Sequence, residues 1–200
     1  MIGIIDYGCG NIRSLTNALI ELDIEHKLIK SVDHFNDCDK IIIPGVGSYF
    51  NAIKKIREKG FETKIKKFVI SNKKVLGICL GMQILSEFGN EEGRCTGLDL
   101  IKGNVELISE KNNISHVGWN NIKIQKNSKL FENIKNNTDF YFVHSYYFNV
   151  KNKEEISSSF NFLNMNITAS VEKKNVFGVQ FHPEKSLENG LKLLKNFSEI

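Results

Sequence analysis

Proline is almost missing from this chain: there are two in 200 residues, Pro44 and Pro183. Cysteine occurs four times, at Cys9, Cys38, Cys79 and Cys95, with no CxxC pair and no zinc-ligand spacing. That pattern argues against a disulfide framework or a structural zinc module and fits a cytoplasmic protein with reduced thiols. No apolar run approaches membrane-spanning length, and no charged segment leading into an apolar one opens the chain. Neither a membrane span nor a secretory leader is therefore expected. No large charge excess exists either: the net +4 comes mostly from scattered lysines. The one dense stretch, Lys54-Lys55 through Lys67, is interrupted by Glu58 and Glu62 and reads as a solvated helix face. Without aromatic–basic interleaving or a reader motif, nucleic acid is not an expected partner. There is no P-loop, and Gly8-x-Gly10 meets Arg13 where a dinucleotide fingerprint needs a third glycine.

What is there is an ordinary soluble composition, 41% hydrophobic and 25% charged, in a length that suits one domain over residues 1–200. Apolar runs at residues 1–6, 24–29, 40–43 and 75–78 read as strands. Helical spacing fills residues 12–22 and the stretch up to Ser71, with a break near Lys59-Gly60. Strands alternating with helices predict an α/β fold with a mainly parallel open sheet flanked by helices, whose loops at the carboxyl strand ends are the ligand-binding places. The second half changes character. Residues 100–108, 115–124, 140–147, 156–162, 166–172 and 176–180 read as strands, some separated by turns such as Asn112-Asn113 and Asn136-Asn137. They are expected to be antiparallel additions packed against the first sheet, before a closing helix over 187–197.

One stretch stands out. An apolar run leads into Gly77-Ile78-Cys79-Leu80-Gly81-Met82-Gln83, and an amphipathic run over 82–88 leaves it. A nucleophile between two glycines, each two residues away, is the pattern of a strand-to-helix elbow, where side chains at the flanking positions would collide with the tight backbone. The first free N–H groups of the following helix favour a thiolate at Cys79. From this stretch alone, a buried cysteine at an ordinary turn reads equally well.

A cysteine nucleophile needs a base, and the base needs an orienter. Of the five histidines, His26, His34, His116 and His144 read as structural or interfacial rather than as the base. In Gln180-Phe181-His182-Pro183-Glu184, Pro183 favours an extended His182, so that His182 and Glu184 project to the same side. Glu184 can then hold one imidazole nitrogen while the other faces a nucleophile. Acyl chemistry also needs donors for an oxyanion. The Leu80 N–H follows the nucleophile directly, and Gly45-Val46-Gly47 could bring a second peptide N–H close.

With both motifs in hand, the chain resembles the class I, triad-type glutamine amidotransferases, and within them the glutaminase subunits of imidazole glycerol phosphate synthase. The narrower resemblance rests on Asp6-Tyr7-Gly8-x-Gly10-Asn11, Pro44-Gly45-Val46-Gly47, Gly118-Trp119-Asn120, Tyr141-Phe142-Val143-His144-Ser145-Tyr146 and Gln180 through Ser186, which span almost the whole chain. It implies Cys79, His182 and Glu184 as catalytic residues and Val46 and Leu80 as oxyanion donors. Gly47, Gln83, Glu91, His144, Ser145 and Tyr146 would hold substrate glutamine. It implies no cofactor, a (β/α)8-barrel cyclase partner that receives the ammonia in a heterodimer, and a partner-facing side carrying Asn11, Trp119, Asn120 and Lys185. Two other readings stand beside it: a paralogue supplying ammonia, with a barrel partner, to a surface-sugar amidotransferase, and a stand-alone cysteine hydrolase or non-catalytic module on the same fold.

Overall fold

Short apolar runs and amphipathic stretches alternate through the first half of the chain, and the backbone follows them. The computed structural model describes residues 1–109 and 114–200, so the turn expected at Asn112-Asn113 lies outside the described residues. In chain order the elements are β1 (Ile2–Ile5), α1 (Ile12–Glu21), β2 (His26–Ile29), β3 (Lys40–Ile43), α2 (Tyr49–Glu58), α3 (Phe61–Ile70), β4 (Lys74–Ile78) and α4 (Leu80–Gln83). The second half supplies β5 (Phe88–Gly89), β6 (Cys95–Thr96), β7 (Gly103–Leu107), β8 (His116–Ile124), β9 (Thr138–His144), β10 (Tyr146–Val150), β11 (Ile156–Phe162), β12 (Met165–Lys173), β13 (Val176–Val179) and α5 (Leu187–Glu199).

The expected α/β class holds. A nine-stranded sheet runs β2-β1-β3-β4-β13-β12-β11-β8-β9. Its first five strands are parallel and the remaining four join antiparallel. Four of the second-half strands extend the same sheet edgewise. A second, four-stranded sheet, β10-β7-β5-β6, packs against it, with Val105, Phe148 and Val150 in one apolar cluster with Val75 and Val171.

Two local expectations change, and two short strands are additions. The run over 140–147 is not one strand: it breaks at Ser145, so that β9 stays in the large sheet while β10 pairs with β7 in the small one. The run over 82–88 keeps helix only through Gln83, and Phe88 already pairs in β5. Strands β5 and β6 are two residues each, too short for a period-of-two pattern to register.

Two apolar clusters hold the layers together. Tyr49, Ile53 and Ile56 of α2 and Phe61, Ile65 and Phe68 of α3 pack on one face of the sheet. On the other, Leu15 and Leu19 of α1 meet Leu193, Leu194 and Phe197 of α5 and the rings of Phe140 and Phe181. Each such fully buried side chain stabilises the fold by roughly 1.5–3 kcal/mol relative to exposure. Ser48 caps α2 by accepting the Asn51 N–H at 3.3 Å, worth about 1 kcal/mol. Gly60, at φ +71, turns the chain between α2 and α3, which is the break expected there.

Candidate active site

Parallel pairing of β4 with β13 brings together residues far apart in sequence. Val179 lies level with Ile78, so Gln180 and the following segment emerge beside Cys79. The Cys79 N–H donates to the Val179 carbonyl at 2.8 Å, fixing that alignment.

Cys79 itself adopts φ +54, ψ −113, a conformation that costs a side-chain-bearing residue of order 1–3 kcal/mol and is seen where a site demands it. The elbow closes because its glycines touch backbone: a Cβ at Gly77 would strike the Gly81 carbonyl, and one at Gly81 would fall on the Ile43 carbonyl oxygen. The Cys79 side chain is buried, with Sγ 3.8 Å from the Val143 carbonyl oxygen and 3.7 Å from Gln180 Nε2.

His182 begins the short 3-10 turn formed by Pro183–Lys185, and its Nδ1 lies 2.8 Å from Glu184 Oε1. Both side chains are almost fully buried. The His182 backbone is held on both sides, its N–H donating to Tyr141 O at 2.9 Å and its carbonyl accepting the Ser186 hydroxyl at 2.7 Å. Nε2 has no hydrogen-bond partner and is free for a reacting group. Burial opposes a charge on the ring, but the Cys79 sulfur and the Glu184 carboxylate outweigh it and push His182 up to about 10. The ring therefore holds its proton through the neutral range.

A cavity of about 240 Å³ opens in front of Cys79, lined by Val46, Gly47, Leu80, Gln83, Glu91, Val143, His144, Ser145 and Tyr146. Its size suits an amino acid better than a peptide. Every residue the sequence marked for oxyanion or glutamine binding lies in that lining; Val143 is an addition. Gly47 sits at φ +99 with open space around it, and Val46 is 42% exposed. Beneath them the Tyr7 hydroxyl donates to Pro44 O at 2.8 Å, a buried support the sequence did not mark. Glu91 Oε2 accepts the Tyr49 N–H at 2.6 Å, and burial raises its carboxyl against that bond. His144 is driven down to about 3 by burial and is a neutral ring.

The four residues expected to face a partner are less tightly grouped. Trp119 is half exposed and meets Tyr141 edge-on at 5.9 Å, while Lys185 lies 5.7 Å over the Tyr141 ring. Asn120 is half-buried on β8, and Asn11 starts α1, accepting the Ser14 hydroxyl at 2.9 Å. A larger cleft of about 760 Å³, between β8 and β11, is lined by Asn120, Asn121, Asn161 and Asn166 among others and includes none of Cys79, His182 and Glu184. Among the described residues no cluster of His, Cys, Asp and Glu could hold a metal ion, and no helix is long and apolar enough to cross a membrane.

The family model described as Glutamine amidotransferase class-I matches residues 3–200. The chain belongs to this family. Among its relatives, the "Imidazole glycerol phosphate synthase subunit HisH" of Caldanaerobacter subterraneus subsp. tengcongensis is 44% identical, over 100% of this chain and 98% of the relative. The "Imidazole glycerol phosphate synthase subunit HisH 1" of Campylobacter jejuni is 43% identical over the full length of both. Among solved structures, that of PurLQS from Thermotoga maritima superposes with a TM-score of 0.78 at 21% identity, covering 99% of this chain and 97% of that one, which bears on the fold alone. In the amidotransferase family fold, the elbow at Cys79 and the turn at His182 thus lie at the carboxyl ends of adjacent parallel strands, where open α/β sheets bind ligands.

Proposed function

We propose that this chain is the glutaminase subunit of an imidazole glycerol phosphate synthase, hydrolysing glutamine and passing ammonia to a (β/α)8-barrel cyclase subunit in histidine biosynthesis. The observation that carries the reading is the Cys79–His182–Glu184 set beside an amino-acid-sized cavity. The full-length relatives named as synthase subunits support the destination of the ammonia over the surface-sugar alternative.

The Cys79 thiolate attacks the side-chain amide carbon of glutamine, and the oxyanion that forms takes hydrogen bonds from the Leu80 and Val46 N–H groups. The C–N bond breaks as His182 gives its proton to the departing nitrogen, leaving ammonia and a thioester. His182 then takes a proton from water, which attacks the thioester; glutamate leaves and the thiolate returns. Glu184 holds His182 in the tautomer that points Nε2 at the reacting atoms. Gly47, Gln83, Glu91, His144, Ser145 and Tyr146 hold the glutamine.

Val46 and Val143, which line this cavity, are exposed, as are Val117 and Trp119 on the β8–β9 pair and Phe50 in the first turn of α2. A partner that covers them would shelter ammonia from the protons of bulk water. Together with Asn11, Asn120 and Lys185 they form the proposed docking side. The test is glutamate release from glutamine with and without a barrel cyclase: turnover is expected to be weak alone, strong with the partner, and abolished in Cys79→Ala. Peptide cleavage with glutamine untouched would point instead to a stand-alone hydrolase.

A further inference from the structure

Gln180 has no role in the mechanism above, yet it is fully buried and its amide touches the nucleophile. We infer that Gln180 is a positioning residue for Cys79, its Nε2 donating a hydrogen bond to the thiolate sulfur. The inference rests on reading Cys79 as the nucleophile, and it follows from the polarity of a chain of buried groups.

The chain starts at the Tyr146 carbonyl oxygen, which can only accept. Gln83 Nε2 lies 2.9 Å from it and His144 Nδ1 lies 2.8 Å from it, so both are donors there. The same Gln83 amide nitrogen lies 3.0 Å from Gln180, so the Gln180 atom facing it must be the oxygen, Oε1. That leaves the Gln180 nitrogen 3.7 Å from Cys79 Sγ. Turning the amide over would set NH2 against NH2 and oxygen against a thiolate, two repulsive contacts among buried groups.

On its other side the His144 ring is fixed by the same logic. With its proton on Nδ1, its Nε2 accepts from His116 Nδ1 at 3.3 Å. Burial lowers both histidines, so these rings stay neutral and the polarity does not reverse near neutral pH.

The sulfur thus has a contact suited to each of its protonation states. The Val143 carbonyl, at 3.8 Å, accepts from the thiol; the Gln180 amide, on the other side, donates to the thiolate. The Gln180 bond does not depend on the protonation of His182. The titratable groups that face Cys79 are His182, with Glu184 behind it, Tyr7 after β1, and, around the cavity in front of it, Glu91, His144 and Tyr146.

The test is the rate at which iodoacetamide alkylates Cys79, followed on the Cys79 peptide by mass spectrometry because Cys9, Cys38 and Cys95 are also free. In Gln180→Met, loss of one hydrogen bond to a charged group is expected to slow alkylation near neutrality about ten-fold. The rates should converge with wild type at pH values where the thiol is ionised without help. Gln180→Glu keeps an acceptor for Gln83 but replaces the donor with a carboxylate oxygen facing the sulfur, so it is expected to slow alkylation near neutrality by more than Gln180→Met, and it serves if the Met variant does not fold. Unchanged alkylation in either folded variant overturns the inference. So does a deficit that persists undiminished at high pH, because that is displacement of the sulfur rather than loss of a donor. Alkylation needs no glutamine, so failure of the glutaminase reading would appear separately, as wild-type protein that hydrolyses no glutamine with its partner.

Discussion

Replacing Glu184 with Gln removes one charge while keeping the shape of the side chain. The carboxylate oxygen sits 2.8 Å from His182 Nδ1 with both side chains buried, so solvent does little to weaken the pair. Two unit charges about 4 Å apart interact by about 4 kcal/mol at an effective dielectric of about 20, which moves the pKa of the imidazolium by about 3. Burial opposes the rise of His182 from 6.5 to about 10, and the Cys79 sulfur contributes to it ahead of Glu184, so the carboxylate supplies a substantial part of it and not the whole. The amide oxygen of Gln still accepts from Nδ1–H, so the tautomer survives and only the charge is tested. Because the folded value is raised, the stability it contributes is fully present below 6.5 and is lost as pH rises through about 10. In glutaminase assays with the partner, the alkaline limb of kcat is expected to fall with loss of the His182 proton near 10 in wild type. In Glu184→Gln it should move toward neutrality, short of the full distance because the Cys79 sulfur still supports the charge. Denaturation in urea near neutral pH should show a loss of about 3 kcal/mol that shrinks as the pH approaches the alkaline end. An alkaline limb that stays where it was, or a stability loss constant across that window, would refute the assignment of the His182 charge to Glu184.

Trp119→Ala should leave thermal stability within about 0.5 kcal/mol, since the ring is half exposed, yet weaken binding of a barrel partner by about 2 kcal/mol in calorimetry. Equal affinity would remove Trp119 from the docking side. Tyr7→Phe deletes the hydroxyl that holds Pro44 O and is expected to cost about 1 kcal/mol in a thermal melt, with kcat falling more than KM because the Val46–Gly47 segment loses its support.

The grouping of the candidate site residues was more legible than the architecture around it. Cys79, His182 and Glu184 could be read because elbows and His-Pro-Glu turns are local patterns, set by residues a few positions apart. The alternation of β1, β3 and β4 with helices could be read for the same reason. The break at Ser145 could not, because His144-Ser145 between two aromatic runs is too short a polar interruption to mark a strand end; what divides the stretch is that β9 pairs with β8 and β10 with β7. The short α4 was likewise invisible: the run over 82–88 is amphipathic, but Leu98 and Leu100 claim the Ile84 and Leu85 carbonyls for a loop, ending the helix. Gln180 had no sequence signal as a thiolate donor, because its role arises from the β4–β13 register alone.

That register also explains why two glycines face each other where the elbow folds back. Gly77 and Gly178 are partners on adjacent parallel strands, and both look toward α4. They make a flat notch in the sheet that lets α4 start close above it, with Gly81 and Met82 packed against the two glycines. The two positions differ in what a methyl group would meet. At Gly77 the added Cβ strikes the Gly81 carbonyl group and the Met82 nitrogen, which are backbone and cannot swing aside. At Gly178 the nearest atom is Met82 Cγ at 2.7 Å, on a side chain with other rotamers, although Val171 Cγ2 at 2.9 Å confines it. Gly178→Ala should therefore fold with an overpacking cost of about 1–3 kcal/mol and lowered kcat as α4 is lifted. Gly77→Ala should cost more than 4 kcal/mol or fail to yield soluble protein. Urea denaturation of both variants decides it: equal losses would mean that the elbow yields as a unit, and that the notch does not set the height of the helix above the sheet.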